Sequence, residues 1–297
     1  MTKARSVGWV GLGKLGLPMA ARLASSGRTV TGYDRDQGRI ALASERGVTP
    51  APAAEAAAAS DIVFTSLPDD KALRAALLGE KGLLVAMRFG AVLAETSTVS
   101  PEASAEVAEA CEVRGVAYLR LPISGSSVLA ESGMVTCFAS GPRAAFDSLV
   151  PVLQGFTRAQ TYLGDGEEAR YAKLAINLMI SVSAGMMAEC LSLARKGNIA
   201  WSDILNAIGD SAAASPLVKY KLGPLAARDF SPAFTCRQLI KDLDLILDAA
   251  GRQNVPVPLA AVMRQTYAAM MAEGEAENDF FAVVRHMERL SGLSDPG

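Results

Sequence analysis

Histidine is almost missing from this chain: His286 is the single one in 297 residues. It stands in V-V-R-H-M-E-R-L, an amphipathic helical pattern near the C-terminus that reads as a solvated or half-buried position. Mechanisms that need an imidazole base, such as serine triads and histidine-dependent hydroxyacid dehydrogenases, are therefore poorly supported. Cysteine is scarce too. Cys111, Cys137, Cys190 and Cys236 lie far apart, with no C-x-x-C pair and no histidine beside them. That spacing argues against a metal site and a disulfide framework, and a reducing, cytoplasmic compartment is expected. No basic run occurs and the net charge is −2, so neither nucleic acid nor an anionic membrane is implied as partner. The longest uncharged run, Leu174 to Ala188, is broken by Asn177, Ser181, Ser183 and Gly185. It is too short and too polar for a span of about 20 residues. The first β-like run starts so early that a signal peptide is not expected, and no solenoid repeat is visible.

What the chain does have is a dense N-terminal signature. Val7 to Leu23 reads V-G-W-V-G-L-G-K-L-G-L-P-M-A-A-R-L: a short apolar strand, a glycine turn, then a helical pattern. This order presents a helix N-terminus and bare backbone N–H groups to a pyrophosphate. In Gly11-Leu12-Gly13-Lys14-Leu15-Gly16, Gly11 permits the tight turn and Gly13 lets phosphates approach the backbone. Gly16 lets the helix pack close to the strand. Such a turn also arises by chance in a chain with 26 glycines, so the discriminating feature lies about 20 residues on. There a second strand, Arg28 to Tyr33, ends in Asp34, the carboxylate expected to hold a ribose diol. A carboxylate at this place favours NAD, and Arg35 directly after it can cap a phosphate, which leaves NADP open.

Short β-like runs and helical segments continue to alternate over the first half. Strands are expected at Asp61 to Leu67, Ala91 to Glu95, Val116 to Leu121, Met134 to Ala139 and Arg158 to Leu163. Helices are expected at Asp70 to Leu78, Glu102 to Arg114 and Arg143 to Leu153, with a short one in the alanine-rich tract between Ala51 and Ser60. This is the pattern of an α/β, doubly wound, mostly parallel Rossmann-type sheet. Beyond Gly164-Asp165-Gly166 strand signals nearly vanish, and an all-α domain beginning with one very long helix is expected. The expected division is 1–164, a dinucleotide-binding domain, and 165–297, an all-α domain.

A cofactor site alone names no reaction. From Tyr171 to Ala188 the one charged residue is Lys173, on a helix apolar enough to be buried along much of its surface. Asn177 follows four residues later and projects from the same face. A desolvated lysine suits general acid–base work near neutral pH, while a lysine snorkelling to the edge of an interior helix fits the same pattern.

Several ordered motifs resemble the β-hydroxyacid dehydrogenase family, which includes 3-hydroxyisobutyrate dehydrogenases and the tartronate semialdehyde and glyoxylate/succinic semialdehyde reductases. They are the glycine turn with its trailing L-P-M-A (Leu17 to Ala20), E-T-S-T-V-S-P (Glu95 to Pro101), L-P-I-S-G-S (Leu121 to Ser126), Lys173 with Asn177, and Lys241-Asp242. The resemblance implies that Thr98 meets the nicotinamide end and that Leu67-Pro68 flanks the cofactor. Ser124, Gly125 and Ser126 would bind a small carboxylated substrate. Lys173 would be the catalytic acid–base group, oriented by Asn177, and Lys241 would reach the cofactor. The helical domain would build a homodimer or homotetramer. Ser126 and the K-L-A-I-N spacing are more similar to the glyoxylate/succinic semialdehyde branch than to the hydroxyisobutyrate one. Arg120 and Leu121 depart from the family pattern, and Arg120 is expected to face solvent at a strand end. Imine reductases on a similar scaffold commonly carry Asp or Tyr where this chain has Lys173, and a non-catalytic dinucleotide-binding protein is the remaining alternative.

Overall fold

The computed structural model describes residues 5–294. Two compact units emerge, Met1–Lys173 and Leu174–Gly297, so the division falls inside a helix. The first unit holds strands β1 (Val7–Val10), β2 (Val30–Tyr33), β3 (Thr49–Pro50), β4 (Ile62–Thr65), β5 (Val92–Glu95), β6 (Ala117–Arg120), β7 (Ile123–Ser124), β8 (Val135–Ser140) and β9 (Thr157–Gly164). Its helices are α1 (Gly16–Ser25), α2 (Gln37–Glu45), α3 (Ala54–Ala58), α4 (Asp70–Leu77), α5 (Leu83–Ala86), α6 (Pro101–Val113), α7 (Ser127–Glu131) and α8 (Arg143–Leu153). Helix α9 (Glu168–Lys196) runs through the boundary.

The strands lie side by side in the order β3-β2-β1-β4-β5-β6-β8-β7, with β9 on β8. From β3 to β6 every pairing is parallel. β8 runs antiparallel to β6 and β7, a reversal the strand pattern does not announce. Parallel strands need both faces covered, so β1, β4 and β5 are buried at every position and apolar but for Thr65 and Glu95 at their ends. Successive side chains then alternate between two cores. On one face Trp9 stacks on Phe64 at 4.7 Å with Phe156 edge-on to both. Val10, Val63 and Leu93 pack on the other with Leu73, Leu77 and Val107. Glycine is needed within β1 itself, because a Cβ on Gly8 would lie 2.0 Å from the Ala57 carbonyl oxygen.

The second unit continues α9 and adds α10 (Trp201–Asp210), α11 (Pro216–Ala226), α12 (Cys236–Arg252), α13 (Pro258–Ala272) and α14 (Val283–Leu290). Helix α11 begins on clear start signals: Ser215 caps it and Pro216 opens it. Thr235 and Gln238 form a reciprocal capping box at the start of α12. The buried Lys221–Asp279 pair, 2.7 Å apart, ties α11 to the turn before α14.

Helix α9 as a whole is long and apolar enough to cross a membrane, a test that the uncharged run within it fails on length. Its most apolar stretch has a mean hydropathy of 1.6 and is 44% buried inside the protein. Ala184, Ala188 and Leu191 are wholly buried, as in a core helix.

Candidate active site

The dinucleotide signature forms at the C-terminal ends of the parallel strands. β1 enters the turn at Gly11, whose φ of +94° is the left-handed region that glycine tolerates. A Cβ there would lie 2.2 Å from the Ser66 carbonyl oxygen. At Gly16 a Cβ would lie 2.0 Å from the Gly11 carbonyl oxygen, so α1 begins in backbone contact with the loop that precedes it. Gly13 differs: a Cβ there meets no protein atom within 4 Å. Internal packing thus explains two glycines, and the third borders open space of the kind a pyrophosphate fills. No side chain caps α1, whereas α2, α4 and α6 are capped by Asp36, Asp69 and Ser100. Its amide dipoles remain available to an anion.

Asp34 closes the cradle. One carboxylate oxygen accepts the Leu12 N–H at 2.6 Å and the other accepts the Asp36 N–H at 2.9 Å. Lys14 and Arg35 are exposed, and Leu15 is half-buried. This donor set and open cradle fit a dinucleotide. The groove of about 430 Å³ between Arg22, Arg46 and Glu131 lies at the opposite end of α1 and plays no part in it.

Next along the sheet edge, the ends of β4 and β5 are laced together by hydroxyls. Ser97 Oγ accepts the Leu67 N–H at 2.7 Å, Ser66 and Thr96 meet at 2.6 Å, and Thr96 donates to the Thr65 carbonyl. Pro68 is exposed beside this lattice. Thr98 is half-buried between buried Ser97 and Val99, a loop that shows one side chain and hides its neighbours.

Two residues beyond the expected set organise this edge. Glu95 is wholly buried and accepts the Ser97 N–H at 2.9 Å. Its other oxygen takes Arg170 Nη2 at 2.5 Å. Arg170, 1% exposed on the first turn of α9, also donates to the Ser97 carbonyl at 2.8 Å, the Tyr118 hydroxyl at 3.0 Å and Ser104 Oγ at 3.2 Å. Burial opposes its charge, but the Tyr118 hydroxyl and the Glu95 carboxylate outweigh that and push its pKa up. Burial, by contrast, pushes the Tyr118 hydroxyl up to about 12. A visible signal was available: Arg170 stands three positions before Lys173 and so shares its helix face.

Lys173 is buried at 8% exposed, near the start of α9. Asn177 and Lys241 lie in the second unit, where Asp242 joins them. Its oxygens lie 2.6 Å from Asn177 Nδ2 and 2.8 Å from Lys241 Nζ. Because a carboxylate only accepts, the Asn177 amide turns its NH₂ toward Asp242 and its oxygen the other way.

Ser124 ends β7, and Gly125 follows at φ +145° with Val135 so close that a Cβ would meet it at 2.9 Å. Ser126 caps α7 by accepting the Leu129 N–H at 3.4 Å, so part of its hydrogen-bonding capacity is local.

Two expectations are corrected. Arg120 does not face solvent: it is 6% exposed, donates to Glu167 through Nε at 2.8 Å and lies over the Tyr118 ring. The carboxylate of Glu167 draws the guanidinium inward. His286 is neither solvated nor half-buried but 4% exposed, with Nδ1 3.1 Å from Glu273. Its place is the packing of α14.

Comparison with known proteins matches this geometry. Residues 6–164 fit the model of the NAD-binding domain of 6-phosphogluconate dehydrogenase. Residues 167–287 fit the NAD-binding model of NADP-dependent 3-hydroxyisobutyrate dehydrogenase. The 2-(hydroxymethyl)glutarate dehydrogenase of Eubacterium barkeri is 31% identical, with 100% of this chain and 99% of the relative covered. The structure of Mycobacterium tuberculosis 3-hydroxyisobutyrate dehydrogenase with L-serine superposes with a TM-score of 0.85 at 26% identity, covering 95% and 99% of the two chains. An imine reductase from a Pseudomonas species shares the fold at a TM-score of 0.61 and 19% identity, covering 96% and 100%. The cradle for NAD(P) and the agreement along nearly the whole chain lead to one conclusion: the chain belongs to the β-hydroxyacid dehydrogenase family and is an NAD(P)-dependent oxidoreductase of the hydroxyacid dehydrogenase type.

Proposed function

We propose that this protein interconverts small carboxylated aldehydes and the matching 3-hydroxyacids, with Lys173 as the general acid–base group and NAD as the preferred cofactor. The observation that carries the reading is a buried lysine on the helix whose first turn is bonded, through Arg170, to the loop bearing Thr98. The nicotinamide, when bound, supplies or accepts the hydride. In the reducing direction the Lys173 ammonium hydrogen-bonds the carbonyl oxygen, stabilises negative charge as it develops there and gives up a proton to it. In the oxidising direction the neutral amine takes that proton back. Asn177, held by Asp242, turns its amide oxygen away from the carboxylate and serves as an acceptor that orients the ammonium. Ser124, Gly125 and Ser126 offer hydroxyl and backbone N–H groups to the substrate carboxylate.

Steady-state assays with glyoxylate, succinic semialdehyde, tartronate semialdehyde, 2-(hydroxymethyl)glutarate and a cyclic imine, each crossed with NADH and NADPH or their oxidised forms, test the reading. Turnover of the carboxylated carbonyl or hydroxy compounds with NAD(H) ahead of NADP(H) is expected. Turnover of the imine alone overturns the hydroxyacid reading, and cofactor binding without any turnover leaves a dinucleotide-binding protein. Cofactor preference rests on Asp34, because its charge repels a 2′-phosphate and can accept from a ribose hydroxyl. Asp34→Asn is expected to lower kcat/KM with NADH by about ten-fold, the order of one charge-assisted hydrogen bond, and to raise it with NADPH. An unchanged ratio removes Asp34 from cofactor choice.

The same reading includes a cytoplasmic location and a homo-oligomer. Met179, Met186 and Leu193 are exposed at seven-residue intervals on α9, one apolar stripe on one face. A stripe of one chemical type complements itself about a two-fold axis, so a second copy of this chain is the proposed occupant. Sedimentation velocity should show an assembly that Met186→Glu shifts toward monomer. A wild-type chain that sediments as a monomer overturns the assignment.

A further inference from the structure

We infer that Arg170 is a positioning residue for Lys173, fixing the rotation and height of the first turn of α9 and so the place of the ammonium three residues on. The inference rests on the reading of Lys173 as the proton donor.

Each edge of the Arg170 guanidinium has a partner. Nη2 serves Glu95 and Tyr118, Nη1 serves the Ser97 carbonyl, and Nε serves Ser104. These four partners come from the end of β5, the loop after it, α6 and β6. A planar fork bonded along several directions resists rotation as well as translation, which a single ion pair does not. Residues three apart on a helix share a face, with Cβ atoms about 5–6 Å apart, so restraint at Arg170 is passed directly to Lys173. The partners are also the groups that shape the loop around Thr98. Glu95 holds the Ser97 N–H, Arg170 holds the Ser97 carbonyl, and Ser97 Oγ holds the Leu67 N–H. One buried pair therefore couples the helix of the acid–base group to the loop expected to border the nicotinamide. A shift of about 1 Å in such a group is enough to cost a hundred-fold in rate.

Arg170→Lys is the informative variant, because it leaves Glu95 with a cation and removes the fork. The expected outcome is a folded protein with dinucleotide dissociation constant and substrate KM within two-fold of wild type. Its kcat should fall about ten- to a hundred-fold, the range of such misplacement. With NADH deuterated at the transferred position, the isotope effect on kcat should rise as chemistry becomes slower. Since Arg170 acts through Lys173, the double variant Lys173→Ala with Arg170→Lys should be no slower than Lys173→Ala alone.

A kcat within two-fold of wild type, measured well below the melting temperature, overturns the proposal and leaves Arg170 a packing residue. Losses that multiply in the double variant overturn it as well. If Arg170→Lys does not fold, the pair Glu95→Gln with Arg170→Gln removes both charges, leaves no uncompensated ion, and takes the same measurements. Should Lys173→Ala itself keep its turnover, the lysine reading falls first and the positioning role with it.

Discussion

Lys173→Ala is expected to keep the fold and the dinucleotide affinity and to lose about 10²- to 10⁴-fold in kcat, the range contributed by one positioned acid–base group. The fold should survive because alanine is the best helix former and removes a buried charged group from α9. Lys173 is 8% exposed, so the reaction would take place where water is scarce and a fixed proton donor has no ready substitute. Lys173→Arg sharpens the result. Arginine keeps the positive charge and can still polarise a carbonyl, but it does not give up a proton in proteins. A loss in Lys173→Arg comparable to that in Lys173→Ala assigns the effect to proton transfer, and a much smaller one assigns it to electrostatic stabilisation. Steady-state kinetics on the substrate that turns over fastest make the measurement. Turnover in Lys173→Ala within about ten-fold of wild type, below the range for such a group, would remove the lysine from the mechanism.

The second large effect concerns the glycine turn, where two substitutions of the same size should behave differently. Gly16→Ala brings a Cβ to within 2.0 Å of the Gly11 carbonyl oxygen and 3.0 Å of both Ser66 Cβ and Trp9 Nε1. Backbone cannot yield as a flexible side chain does, so α1 must move off β1. Overpacking of this kind costs about 1–3 kcal/mol, and the displaced amides no longer converge on one point. Gly16→Ala should therefore melt several degrees lower and bind NADH at least a hundred-fold more weakly. Gly13→Ala meets no protein atom within 4 Å, so its melting temperature should match wild type while NADH affinity still falls. Thermal unfolding and fluorescence titration with NADH read both quantities. Equal affinity losses with no stability difference would show that the loop is more pliable than its contacts imply.

The parts of this molecule that were legible in the sequence are those where one residue type serves one local need. The glycine turn, the strand ending in Asp34 and the long apolar α9 all rest on short-range rules, and each has its expected place. The buried interior of the parallel strands was readable for the same reason, since a strand covered on both faces reads as a nearly continuous apolar run. Long-range pairing was less visible. Glu95 and Arg170 are 75 residues apart, and neither has a neighbour in sequence that betrays the other. Arg120 looked like a surface residue because arginine at a strand end commonly is one, and only Glu167, 47 residues away, turns it inward. The antiparallel reversal at β8 was hidden because alternation along a strand says nothing about its direction.

Asp34 is bonded on both oxygens within its own protein, to the turn at Leu12 and to the turn at Asp36. The carboxylate proposed to select the cofactor is therefore also the clasp that shapes the loop before any cofactor arrives. Asparagine at this position has a single acceptor oxygen, so one of the two amides would then face an NH₂ group. A lineage changing its redox currency at this residue would pass through a form whose looser cradle offsets part of what the lost charge repulsion gains for NADP. Exchange of cofactor and order of the loop cannot be selected separately here, and the route to an efficient NADP enzyme would need a second change that re-clasps Leu12 or Asp36.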